Sequence, residues 1–284
     1  MPMSGSASGA RHPKRPAERR LAFVLGLPLL LLLAVPLVGL VLYAGPSSLM
    51  AGLSHPATTA ALGLSLATSL ASLVLVVLLG TPLAWWLARH GRGSASRRTR
   101  IAAAIVETLV DLPVVLPPAV LGLAMLLVLG REGVVGKPLG LSLAFTPGAV
   151  VLVQLVVSAP FYVQSATAAF RGLDPELLAV ARTLGASPAR VFFRVAAPLA
   201  AGGLAAGALL AWARALGEFG ATLLFAGNFP GRTQTLPIAI YTELEVDAHV
   251  AQAMAMVLLA SALVLLLSVR VLGGAARALP PSAR

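Results

Sequence analysis

The length of its apolar runs constrains this chain more than any other feature. A helix needs roughly 20 consecutive, mostly apolar residues to cross a bilayer. Six stretches reach that length: 21–43, 59–88, 101–130, 148–170, 195–225 and 250–272. Apolar residues are continuous within them, not spaced at the helix or strand period of a soluble domain. The composition agrees: 58% of the 284 residues are hydrophobic and 11% charged, whereas soluble domains carry about 25% charge. The runs predict an all-α integral membrane protein of six transmembrane helices.

The first run, 21–43, follows a basic stretch from Arg11 to Arg20, as the h-region of a signal peptide would. It is longer than the about 7–15 residues of an h-region, and no small-x-small cleavage site follows it. It is therefore read as a retained transmembrane helix, preceded by a disordered basic tail over 1–20 rich in Pro, Ser, Gly and Arg.

Lys and Arg alternate between the two sides of this topology. They gather at Arg11, Lys14, Arg15, Arg19 and Arg20; at Arg89, Arg92, Arg97, Arg98 and Arg100; at Arg171, Arg182, Arg190 and Arg194; and at Arg270, Arg277 and Arg284. The intervening segments hold none over 44–58, then Arg131 and Lys137, then Arg232. The positive-inside rule places the basic segments, both termini and a tail over 273–284 in the cytoplasm. The net charge of +11 is thus a topology signal that meets anionic lipid. No basic stripe carries the interleaved aromatics of a nucleic-acid surface, so no nucleic-acid partner is expected. With no cysteine in the chain, disulfides and thiolate metal sites are excluded.

The segment between the fourth and fifth runs, 171–198, is the most informative. Asp174 before Pro175 is an N-cap with proline at the first helical position, and Glu176 sits where the helix dipole favours an anion. Gly185 falls where a left-handed C-terminal cap belongs. These signals bound a short helix over 175–184, and Ser187-Pro188 starts a second one. Leu177, Ala181 and Leu184 share one face. The product is a capped amphipathic helix, suited either to an ordinary loop or to docking in the groove of a partner.

The run Ala181-Arg182-Thr183-Leu184-Gly185-Ala186-Ser187, with Pro198 downstream, resembles the EAA loop of binding-protein-dependent ABC importer permeases. That family's glutamate falls at Ala179 and its first alanine at Val180, while Ala181 and Gly185 match; Glu176 is a candidate substitute charge. The resemblance implies a type I importer permease domain over 57–272. It also implies an ATPase-coupling role for Asp174, Glu176, Leu177, Ala181, Arg182, Leu184, Gly185 and Arg190. Two more stretches resemble the molybdate and tungstate members of the oxyanion branch. One is Asp111-Leu112-Pro113 through Pro117-Pro118 to Gly122; the other runs from Arg214 through Gly217-Glu218, Asn228 and Arg232 to Pro237 and Tyr241. Sulfate permeases share part of the second.

Several of these residues also have a physical reading. Pro113, Pro117 and Pro118 remove backbone donors from the third run, and irregular backbone at membrane depth needs cover from protein or water. The run is either a packed kink or a lining of the pathway. Arg214 and Glu218 are four apart and pair on one helix face. About 1.5 Å per residue from Arg194 puts Arg214 roughly 30 Å along, near a boundary, where it serves as interfacial ion pair or gate. Glu107 and Asp111 share a face, and as carboxylates they suit interhelical pairing rather than an oxyanion. Gly203 and Gly207 form a small-xxx-small pair expected at a seam between subunits. Arg232, Thr233 and Thr235 are candidates for the outer mouth, against a solvated loop.

No GKS/T phosphate loop occurs, so nucleotide is not bound by that route, and neither a cofactor nor a metal is expected on this chain. The resemblance implies a non-enzymatic subunit in a bacterial or archaeal cytoplasmic membrane. It would form a homodimer with two cytoplasmic ATPase subunits that hold ATP and Mg, and with an external molybdate-binding protein. An ion-coupled secondary transporter would call for an inverted repeat, and none is visible. A membrane enzyme would call for a histidine constellation, whereas His12, His55, His90 and His249 are scattered.

Overall fold

A computed structural model describes residues 16–90, 96–140 and 142–278, with side chains placed over 23–268 except at residue 46. Arg11, Lys14, Arg15, Arg92 and Arg284, with most of the N-terminal tail and the end of the C-terminal one, lie outside the described residues. Every regular element among the described residues is helical. Five helical stretches are long and apolar enough to span a bilayer: Phe23–Ala44, Pro56–His90, Pro147–Arg171, Pro188–Leu216 and Ala248–Ser268. The pair Arg97–Val115 and Pro118–Leu129 is apolar enough together but bent by 115°, the geometry of a broken span or a re-entrant loop. The fold is the expected all-α, multi-pass one.

The first compact unit ends at Pro46. It contains α1 (Pro16–Ala44), which begins inside the stretch expected to be a disordered tail. Its large apolar side chains point outward all round, with Leu32 71% exposed, which is how a helix solvated by lipid presents itself. Pro28 and Pro36 lie within it, as membrane helices tolerate.

The second unit begins at Ser47. It comprises α2 (Pro46–Ser54), α3 (Pro56–His90), α4 (Arg97–Val115), α5 (Pro118–Leu129), α6 (Pro147–Arg171), α7 (Pro175–Thr183), α8 (Pro188–Val191), α9 (Ala197–Leu216), α10 (Gly220–Ala226), α11 (Leu236–Val246) and α12 (Ala248–Ala278). One π turn, Phe192–Ala196, joins α8 to α9.

Packing in this unit inverts the pattern of a soluble protein. Along α3 the buried positions include Thr58, Ser65, Thr68, Ser69 and Ser72 beside Ala61, Val76, Ala84 and Leu87, while Leu70, Val74, Leu78 and Leu79 face outward. Lipid supplies no hydrophobic drive between helices, so small residues and interhelical hydrogen bonds set the contacts. Trp212 Nε1 donates to Ser69 Oγ at 3.0 Å, and the Leu236 N–H donates to Ser65 Oγ at 2.8 Å. Thr81 and Tyr162 share a hydroxyl hydrogen bond of 2.5 Å. Around these ties, α3, α6 and α9 form one apolar cluster that includes Leu87, Tyr162, Val163, Phe170 and Ala200. A second joins α5, α6 and α10 through Met125, Val153, Ala221 and Phe225.

Two expectations change. The fifth run, read as one helix over 195–225, is two helices, because the chain leaves helical geometry over 217–219 and restarts at α10. The close approach that Gly203 and Gly207 allow is made within the chain. They pack on α6 of the same chain, where Ser165 Oγ donates to the Gly203 carbonyl at 3.0 Å, and a Cβ on Gly207 would lie 2.8 Å from that of Ser165. Small residues promote any close helix approach, within a chain or between chains, so spacing alone left the partner open.

Gly207→Val therefore forces α9 off α6 and should lower stability by roughly 2 kcal/mol. Gly202→Ala, where a Cβ meets nothing within 4 Å, should be neutral or stabilising by up to about 1 kcal/mol. Thermal unfolding of the two variants in detergent checks the contrast.

Candidate functional site

Two helix breaks meet in the second unit. In the first, Pro113 lies within α4, Leu116 and Pro117 are extended, and Pro118 starts α5. The orphaned groups are largely recovered locally: the Leu116 N–H donates to Leu112, and those of Val120 and Leu121 to Pro117. In the second, α9 ends at Leu216 and α10 starts at Gly220. Glu218 is 1% exposed and serves both sides of this gap. Its Oε1 accepts the Ala221 N–H at 3.0 Å, and its Oε2 lies 2.7 Å from Arg214 Nη1. A buried carboxylate persists only when paired and hydrogen-bonded, and here both oxygens are occupied.

The breaks are seated on each other. A Cβ on Gly122 of α5 would fall 2.6 Å from the Ala221 carbonyl oxygen, and one on Gly220 would meet Pro118 at 3.4 Å. Glycine at 122 lets α5 lie directly against the first turn of α10, whereas at Gly220 a Cβ would make only an ordinary contact. Arg214 keeps part of its guanidinium accessible, its side chain being 29% exposed. Pro113, Pro117, Pro118, Arg214 and Glu218, all sequence candidates, thus lie along two helices that meet at their breaks. That Glu218 stands beyond the end of α9 rather than on its face was not foreseen.

The outer-mouth candidates need correction. Thr233 and Thr235 are 0% and 1% exposed. Thr233 Oγ1 accepts the Phe229 N–H at 3.1 Å, and the Phe229 carbonyl accepts the N–H groups of Arg232, Thr233 and Gln234. The Thr233 hydroxyl is thus held within this turn, the buried Thr235 hydroxyl has no hydrogen-bond partner, and Arg232 alone of the three is exposed.

The segment after α6 folds as its caps predict. Asp174 Oδ1 accepts the Glu176 N–H at 2.8 Å, α7 starts at Pro175, and Leu184 forms its C-cap. Gly185 has φ +81°, a conformation that costs glycine little and other residues much. Ser187 Oγ accepts the Arg190 N–H and opens α8. No residue of α7 is buried. Leu177, Val180 and Leu184 are 52%, 55% and 82% exposed, whereas Leu178 packs on the α3–α6–α9 cluster. Ala181 is half-buried, and Glu176, Arg182 and Arg190 are exposed.

The sequence reading missed how α7 is rooted. Trp85 of α3 meets Phe170, just before α7, edge-on at 5.1 Å, and Phe192, just after α8, at 5.4 Å. Arg89 lies over Trp85 at 5.1 Å, close enough for a cation–π contact. The two chain ends that carry α7 are thereby clamped on one indole. Trp85 and Phe170 lie in two separate runs and Phe192 in the connecting segment, so such a cluster gives no linear signal.

Glu107 and Asp111 pair between helices, as expected. Arg171 Nη2 forms an ion pair with Glu107 Oε1, and Gln164 Nε2 donates to Asp111 Oδ1 at 2.7 Å. A cavity of about 200 Å³ lies among these side chains.

Comparison with known proteins adds to this geometry. The model of the family described as "Binding-protein-dependent transport system inner membrane component" matches residues 80–279. The chain is 44% identical over 229 residues to the molybdenum transport system permease protein ModB of Mycobacterium bovis, covering 80% of this chain and 84% of that one. It is 36% identical over 230 residues to the probable transport system permease protein NifC of Clostridium pasteurianum, covering 80% and 78%. Among solved structures, a bacterial alginate ABC transporter in complex with an alginate pentasaccharide-bound periplasmic protein superposes with a TM-score of 0.67 at 19% identity. That match covers 88% of this chain and 92% of that one, and it shows a shared fold.

Removing Glu218 leaves Arg214 and the first turn of α10 without their partner. Glu218→Ala should cost about 3 kcal/mol, and Glu218→Gln less, because the amide oxygen still accepts the Ala221 N–H. Detergent melting curves of the two variants give the comparison, and equal losses would assign the whole effect to the ion pair with Arg214.

Proposed function

The chain belongs to the binding-protein-dependent transport system inner membrane component family, and on that premise we propose that it is the pore-forming permease subunit of an ABC importer for molybdate. The substrate comes from the relatives: the most similar ones carry molybdenum transport in their names. The observation that carries the mechanism is α7. It is a helix capped at both ends, rooted on Trp85, with no buried residue and with Leu177, Val180 and Leu184 bare. A bare apolar face on a clamped, capped helix suits a groove on a partner.

In this reading the permease is a homodimer in the cytoplasmic membrane of a bacterium, with both termini and α7 inside by the Lys/Arg bias. Two ATPase subunits hold ATP and Mg and receive the two α7 helices, around Leu177, Ala181 and Leu184, with Glu176, Arg182 and Arg190 on the rim. An external binding protein delivers the oxyanion on the opposite face. Closure of the ATPases on ATP draws the α7 helices together and turns the pathway outward; hydrolysis restores the inward-facing state. That is a two-state equilibrium biased by a distant ligand.

The crossed breaks supply the pathway. Arg214, steadied by Glu218, offers its remaining N–H groups to a passing dianion. A guanidinium suits the flat oxygen faces of an oxyanion. Its pairing with Glu218 offsets its charge, which favours transit over retention.

The test is uptake of labelled molybdate into proteoliposomes holding this chain, its ATPase and its binding protein. Uptake that needs ATP and resists excess sulfate supports the proposal. Suppression by sulfate moves the substrate to sulfate, and uptake without the ATPase overturns the importer mechanism. In the same system Leu184→Asp should leave melting of the permease alone unchanged, since that side chain is exposed, and should reduce co-purification of the ATPase about tenfold or more.

A further inference from the structure

The polar contacts between α4 and α6 are arranged as a ladder with one rung unused. On α4, Glu107 and Asp111 stand one turn apart. On α6, Gln164 and Arg171 stand two turns apart, with Thr167 between them. Arg171 holds Glu107 and Gln164 holds Asp111. Thr167 is 4% exposed, and its Oγ1 has no hydrogen-bond partner although it lines the same cavity as both carboxylates. A buried hydroxyl without a partner is costly, and among the buried hydroxyls without one Thr167 is the one that lines the cavity with both carboxylates.

The surroundings allow a second arrangement in which a partner arrives. In α4 only Ala103 is buried, so its apolar packing resists displacement weakly. The cavity of about 200 Å³ leaves room for side chains to re-pair. A shift of α4 along α6 by less than a turn, about 5.4 Å, carries Asp111 from Gln164 toward the Thr167 hydroxyl. Both ends of the ladder are attached to functional elements. Arg171 is the last residue of α6, three before the Asp174 cap of α7. At about 1.5 Å per residue, Glu107 lies roughly 15 Å along α4 from the break at Pro117.

Resting on the permease reading above, we propose that Glu107–Arg171 and Asp111–Gln164 form a two-position ratchet that transmits displacement of α7 to the crossed helix breaks, with Thr167 as the second seat of Asp111. Arg171 keeps hold of Glu107 and pulls α4 as α7 moves. Asp111 exchanges the Gln164 amide for the Thr167 hydroxyl, so the carboxylate keeps a donor in both positions. Packed elements change between discrete arrangements of this kind rather than deforming continuously. Thr167 is a positioning residue: it touches Asp111, not the transported anion.

The experiment uses the assembled complex of permease, ATPase and binding protein in proteoliposomes, reading molybdate uptake and ATP hydrolysis together with the melting temperature of the complex. Thr167→Val removes only a hydroxyl that has no partner in this arrangement, so melting should be unchanged or raised. Hydrolysis should stay within about twofold while molybdate delivered per ATP falls about tenfold. Thr167→Ser, which keeps the hydroxyl, should restore the wild-type ratio. Unchanged uptake in Thr167→Val overturns the ratchet. So does a drop in melting temperature, which would give the hydroxyl a static structural role, or a Thr167→Ser variant as impaired as Thr167→Val. If the wild-type complex shows no ATP-driven molybdate uptake, it is the permease reading that fails, and the variants are then compared by their ATPase response to the binding protein.

Discussion

Backbone N–H and C=O groups inside a bilayer have no water to turn to, and the rest of this structure depends on that. Unbroken helices meet the condition by themselves. The departure at Pro117–Pro118 meets it through local bonds to Leu112 and Pro117, and the one over 217–219 through bonds back to α9 and through Glu218. Gly122 lets α5 lie against the first turn of α10, and the Glu218 carboxylate caps α10 while pairing with Arg214. Two helix breaks and a partly accessible guanidinium can thus lie side by side with these backbone groups paired.

The same solvent inverts the packing. Leu and Val side chains of α3 face outward, while Ser, Thr, Gly and Ala form the interfaces, joined by single hydrogen bonds such as Trp212 to Ser69. Stability then rests on close approach, as at Gly80, where a Cβ would meet the Tyr162 ring at 2.8 Å. Cohesion is uneven as a result. The α3–α6–α9 cluster is dense, whereas α4 is held by one buried alanine, a few part-buried valines and two polar ties. An element held in this way can move while its neighbours stay fixed.

That unevenness connects to the proposed function. The α7 helix is fixed at its root by Trp85, Phe170 and Phe192 and is bare at its face, so a force applied to the face reaches the ends of α6 and α9. From α6 the polar ladder leads along α4 to the crossed breaks. In the proposed importer the subunit acts as a lever: the ATPase partner supplies the work, and the chain supplies a stiff input, a lightly held transmission and a pathway built on irregular backbone.

What the sequence alone determined is one-dimensional. The lengths of the apolar runs fixed which segments cross the bilayer, because bilayer thickness sets a residue count. Local caps were also legible: Asp174-Pro175 and Gly185 bound α7 within one residue of expectation, since capping is decided among neighbours. The charges of Glu107 and Asp111 pointed to interhelical partners because carboxylates in lipid need them. Tertiary structure decided which faces meet. Hydrophobicity does not distinguish a lipid-facing side from a helix-facing one in such runs, so nothing in the spacing of Gly203 and Gly207 revealed that they pack on Ser165 and Ala169 of the same chain. Nor did it show that Thr233 and Thr235 are buried in a turn around Phe229. The break over 217–219 escaped for a related reason. An apolar run reads as one helix unless proline interrupts it, and here the interruption depends on a distant helix, α5, and on Glu218 turning to cap α10.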